Sequence, residues 1–129
     1  MSDTQLSPKS YRQPVEVTFT FPLGLAASVS YSSVTIRELK ASAEARAMSR
    51  AGNDGTRLVQ ELVRESIVRA TNLDGVVEEI STSNETIDIF MDKVGPAGRT
   101  ALMAAYNRVN QPQKDDLDSF LGTASAEVR

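Results

Sequence analysis

Among the side chains able to do chemistry, the aspartates come first. Asp88 and Asp92 stand four residues apart, on one face of any helix that holds them, and Asp115, Asp116 and Asp118 cluster towards the C-terminus. Carboxylates so grouped could hold Mg²⁺ or share acid and base roles. The face of Asp88 and Asp92 lies opposite an apolar stripe, however, so it should be solvated, and catalysis by solvated surface acids is rare. Solubility explains them better than catalysis. Gly95-Pro96-Ala97-Gly98-Arg99 has the glycines of a phosphate-binding loop ahead of a helix. It lacks the GxxxxGK[ST] pattern and follows no predicted strand, so a turn between helices is the better reading.

Arg57, Arg64 and Arg69 could face nucleic-acid phosphate if the two helices around Gly52-Asn53-Asp54-Gly55 formed a helix-turn-helix. Glu61 and Glu65 alternate with them and would cancel much of the attraction. Val15, Val17, Phe19 and Phe21 share one face of a strictly alternating segment. That face is most simply core. Two strands cannot cover it unaided, so part of it is expected to bind a partner. Arg99 and Tyr106 read as residues at the edge of the core.

The missing residue types narrow the choice further. The 129 residues include no Cys and no His, which excludes disulfides, thiolate metal sites, Cys nucleophiles and the commonest general base. No catalytic, cofactor-binding or metal-binding residue stands out, and the chain reads as a non-enzyme with no cofactor. A net charge of −3 and an isoelectric point near 5.0 argue against a nucleic-acid footprint. No apolar run approaches the roughly 20 residues of a membrane span, and Met1 to Gln13 lacks the apolar core of a signal peptide. These features lead to the expectation of a soluble intracellular protein. Aromatic residues are scarce, at 5%, and alanine is abundant, so the core should be thin and aliphatic. Such a domain often gains stability from a partner, which leaves homo-oligomerisation open.

The elements that must position these residues follow from periodicity. Residues 1–13 read as a flexible tail and 14–122 as a single domain. A β-hairpin is expected over 14–36, with a bend near Ser32-Ser33, and its edge offers a natural place for strand addition. Thr35 and Glu38 have the spacing of a capping box for a peripheral helix over 36–50, with the thin stripe Ile36, Leu39, Ala43 and Ala47. Asp54 or Thr56 should cap the central helix over 57–71. Its stripe is Leu58, Val59, Leu62, Val63, Ile67 and Ala70; Glu61, Arg64 and Glu65 form the wet face, and Glu65 pairs with Arg69. Val76 to Ile80 suits a short strand or a non-helical packing segment. Two further helices over 84–94 and 97–110 meet at Gly95-Pro96. A short helix over 114–121 would dock Leu117, Phe120 and Leu121, and 123–129 would fray. The class is α+β, mostly helical, with an N-terminal β-hairpin packed on a bundle of three to four helices.

With Val34-Thr35-Ile36-Arg37-Glu38-Leu39 and the segment from Leu58 to Gly75, this order resembles small tail-assembly proteins of contractile-tailed bacteriophages. The Mu-type tail assembly chaperone family and related baseplate-assembly proteins are the nearest in plan. In them a strand region is followed by a similar helix start, a helix leading to a glycine turn, an acidic segment and another helix. The resemblance covers roughly residues 15 to 110. It implies a non-enzymatic role in virion morphogenesis: binding a tape measure, tube or baseplate protein in the host cytoplasm, or remaining in the virion tail. It carries over no individual functional residue and implies no nucleic-acid or membrane partner. The alternative is a small DNA-binding regulator using helices 36–50 and 57–71.

Overall fold

The alternation around Val17 and Phe19 makes a strand because β-branched and aromatic residues can put one face on a core while threonines face water. In a computed structural model, which describes residues 13–125, that strand is β1 (Glu16–Thr20). Pro22 then opens a two-turn helix, α1 (Leu23–Val29), which ends at Ser30 with φ 68°. The chain returns as β2 (Tyr31–Arg37), antiparallel to β1 with Val17 opposite Ile36. Two helices follow, α2 (Ala41–Ala51) and α3 (Gly55–Ser66). The chain then passes directly into β3 (Ile67–Asn72) and turns into β4 (Val77–Glu79). A long helix, α4 (Thr86–Asn110), crosses the sheet, and α5 (Lys114–Ser125) ends the described chain.

The molecule is α+β with helix dominant. Its sheet has four antiparallel strands in the order β1-β2-β3-β4, so the expected hairpin is the first half of a wider sheet. Helix α1 replaces the expected bend between its two strands. Ile36 belongs to β2, and Thr35 pairs with Thr18 in the ladder instead of capping a helix. The next helix therefore begins five residues later than expected. The central helix also stops early. Ser66 Oγ donates to the Val63 carbonyl, and Ile67 takes extended geometry. Ile67, Val68 and Thr71 are β-branched, and their preference for strand wins over a helical stripe that Ile67 and Ala70 would equally have satisfied.

One face of the sheet meets α1 and α4, and the core forms there from Val29, Tyr31, Val34, Ile36, Phe90 and Leu102, all at most 2% exposed. The Tyr31 and Phe90 rings lie 5.0 Å apart, tilted by 58°. Asp54 is the cap of α3, accepting from the Arg57 N–H at 3.1 Å. Helix α4 is broken at Gly95 (φ 66°), with Pro96 starting its second half, as the sequence led one to expect. The Asn110 side chain fastens the far end of α4 to β2 by accepting from Leu39 N–H and donating to the Arg37 carbonyl.

Two expectations at the C-terminus fail. Leu117, Phe120 and Leu121 do not dock: they are 44%, 67% and 55% exposed. The helix also continues to Ser125 instead of fraying from residue 123. Apart from Gln13, the N-terminal tail lies outside the described residues, as do positions 126–129. Among the described residues no helix is long and apolar enough to cross a membrane.

Candidate interaction site

The register of β1 decides which of its backbone groups are free. The Glu38 N–H donates to the Val15 carbonyl and the Phe21 N–H to the Ser32 carbonyl, both at 2.9 Å. In an antiparallel ladder these alternate residues point their N–H and C=O groups towards the partner strand. Val15, Val17, Phe19 and Phe21 therefore bond inward to β2. Glu16, Thr18 and Thr20 turn their backbone groups outward, and among the described residues β1 is the terminal strand of the sheet. That edge is five residues long, without proline or lysine to blunt it.

The side chains expected to bind a partner divide by depth. Phe21 is 7% exposed and belongs to the core. Val17 and Phe19 are half-buried, and Val15 is 45% exposed. Towards the Phe21 end, β1, α1 and α4 leave an apolar groove of about 310 Å³. Phe19, Phe21, Leu25, Ala101 and Ala104 line it, with Arg108 at its border. On α4, Ala101, Ala104, Ala105 and Arg108 follow helical spacing, and the small alanines keep the groove open. Sequence reasoning reached Phe19 and Phe21 through alternation. It missed the α1 and α4 contributions because α1 itself was unforeseen.

The arginines weighed for phosphate binding are engaged by carboxylates. Glu65, whose side chain is 0% exposed, accepts from Arg50 at 2.6 Å, from Arg46 at 3.1 Å and from the Thr82 hydroxyl at 3.2 Å. Glu61 bonds Arg50 at 2.6 Å and lies 3.7 Å from both Arg57 and Arg64. Arg64 also reaches Asp88. Glu61 and Glu65 are thus buried between α2 and α3, where the sequence had placed a wet face. Small Ala43, Ala47 and Ala51 let α2 come close enough to cover them. Burial pushes the Glu65 carboxyl up, and the hydrogen bonds from Arg46 and Arg50 outweigh it, holding it below its ordinary value. The Arg50 guanidinium is raised, chiefly by its bond to Glu61. Arg69, in β3 instead of a helix, pairs with Glu16 and Glu79 across the solvent face of the sheet, so the expected Glu65–Arg69 pair does not form.

The remaining candidates carry structure. Gly95 to Arg99 is the joint of α4, where the Arg99 guanidinium donates to the Met91 carbonyl and Gly98 is buried. Asp92, Asp115, Asp116 and Asp118 are exposed, Asp118 with Lys114 at 2.6 Å. Among the described residues no three His, Cys, Asp or Glu side chains converge as a metal site would require. Burial raises the Tyr31 phenol, as does its hydrogen bond to Glu78; burial also raises Tyr106, with a smaller effect from the Glu44 charge. A polar depression of about 570 Å³ beside α2 mixes Arg37, Lys40 and Arg46 with Glu16 and Glu38, so opposite charges share one wall.

Comparison with protein families, curated proteins and solved structures finds no match to this chain. The arrangement itself is therefore the guide to function: among the described residues, a strand edge that no other strand covers beside an apolar groove, on a scaffold whose Arg46, Arg50, Arg57, Arg64 and Arg69 are paired with carboxylates.

Proposed function

We propose that this chain is a non-enzymatic protein-interaction component of phage tail morphogenesis. It acts in the host cytoplasm as an assembly chaperone for a tape measure, tube or baseplate protein, or stays with the tail as a small subunit. The observation that carries the interaction role is the outer edge of β1, which no other strand covers among the described residues. Outward backbone groups of Glu16, Thr18 and Thr20 lie beside the partly exposed apolar residues Val15, Val17 and Phe19. An extended segment of the partner adds to that edge, main-chain hydrogen bonds supplying affinity and alternate side chains the selectivity. The tail setting is supported by the resemblance carried by Val34 to Leu39 and Leu58 to Gly75.

The test is co-expression with phage tape-measure, tube and baseplate proteins, followed by affinity capture of this chain. The wild type should retain one of them. Thr18→Pro removes an outward N–H and leaves the β1–β2 backbone bonds in place, losing across the ladder the Thr18–Thr35 hydroxyl bond, so the fold should persist by circular dichroism while recovery of the partner drops at least about tenfold. Capture of none of the tail proteins contradicts the role. Undiminished capture by Thr18→Pro contradicts the edge as its site.

A further inference from the structure

Helix α5 is amphipathic, yet its apolar stripe is in solvent. Leu117, Phe120 and Leu121 stand at i, i+3 and i+4 and are 44%, 67% and 55% exposed. The bonds recorded for Lys114, Asp118 and Thr123 run within the helix. One cluster of large apolar side chains on one helical face is a contact surface. The same chain holds an apolar groove of matching kind between β1, α1 and α4, whose α4 wall from Ala101 to Arg108 is about 10 Å long at 1.5 Å per residue. The stripe on α5, about 6 Å between Leu117 and Leu121 on the same scale, fits within that wall.

Charge complements shape. The groove is bordered by Arg108 and has no carboxylate in its lining. Helix α5 carries Asp115, Asp116 and Asp118 against the single cation Lys114, which already pairs with Asp118. Asp116 lies one turn before Phe120, at the margin of the stripe, where it can meet Arg108 when the stripe is seated.

The joint between α4 and α5 says whose groove is filled. Gln111 is extended (φ −104°, ψ 135°), the conformation that a following proline imposes, and Pro112 stiffens the next step. Past this joint the apolar stripe of α5 stays exposed, so α5 does not fold back on α4 as a tight helical hairpin. We infer that the groove of one molecule receives α5 of a second copy, reciprocally, in a two-fold dimer built by exchange of the C-terminal helix. Phe19 and Thr20 belong both to this groove and to β1, whereas Glu16 and Thr18 lie outside its lining, so the dimer is tested by variants on α4 and α5 that leave the β1 edge unchanged.

Because the chain has no cysteine, disulfide trapping is clean. Ala104→Cys and Leu121→Cys full-length variants, carrying different tags, are refolded together and oxidised. The expected product is a disulfide-linked pair containing both tags. Sedimentation of the wild type should give a dimer, and Phe120→Asp, at a residue exposed in the single chain, should weaken it about 30-fold or more. A double variant, Ala104→Cys/Leu121→Cys, that closes within one monomer would overturn the exchange in favour of a hairpin. So would a monomeric wild type at high micromolar concentration without cross-linking between tags.

Discussion

Glu65 shows how much one side chain can hold together. Its carboxylate is out of water, and two arginines of α2 and a threonine ahead of α4 converge on it. Two charges in such a place cost several kcal/mol to desolvate, and the return comes only while every partner is present. Replacing Glu65 by Gln takes this anion from Arg46 and leaves Arg50 with Glu61, and both arginines are partly exposed, so water recovers some of the loss. The expected destabilisation at neutral pH is about 2 kcal/mol in urea unfolding. The pH dependence has a definite sign. Because the folded Glu65 pKa lies below its unfolded value, the stabilisation is complete above the unfolded pKa of about 4.3 and disappears as pH falls through the folded value. The gap between wild type and Glu65→Gln should therefore narrow as pH drops below about 4. A gap constant from pH 7 to pH 3 would show that Glu65 acts through packing alone.

At the scale of elements, the contact of α1 with α4 depends on Gly98. A methyl group there would stand 2.5 Å from the Val94 Cβ and 3.0 Å from the Val29 Cγ1. Alanine favours an isolated helix over glycine by about 1 kcal/mol. Displacement of Val94 across the joint of α4, and of Val29 on α1, should nonetheless dominate, and Gly98→Ala should lower stability by about 1–3 kcal/mol in the same unfolding assay. A gain would mean that α1 yields without cost. The sequence announced the break at Gly95-Pro96 and the alternation of β1, because each is a local signal: a backbone position needing positive φ, and a period of two. It could not announce α1, whose seven residues have too little length to display a period. It was ambiguous over Ile67 to Ala70, where apolar spacing suits helix and strand alike and pairing with the distant β2 decides. Glu61 and Glu65 read as solvated because their burial depends on Ala43, Ala47 and Ala51 in another helix. The groove was half legible: Phe19 and Phe21 were visible in the alternation, whereas Leu25, Ala104 and Arg108 needed the tertiary arrangement.

On the scale of the whole molecule, a sheet with helices on one face leaves, among the described residues, the outer edge of β1 without a partner strand and the apolar stripe of α5 exposed. Both features suit the proposed role, in which other chains complete these contacts: a tail protein at β1 and, in the proposed dimer, a second copy at α5. The central claim is that β1 accepts a strand, and amide hydrogen exchange across residues 15–21 tests it most directly. In the chain alone, the Thr18 and Thr20 amides should exchange quickly, while those of Val17 and Phe19, bonded to β2, exchange slowly. With the captured tail protein bound, the Thr18 and Thr20 amides should gain protection of about 100-fold or more. If both stay as fast in the complex as in the free chain while protection appears on α2 and α3, partner binding lies elsewhere and strand addition at β1 is wrong.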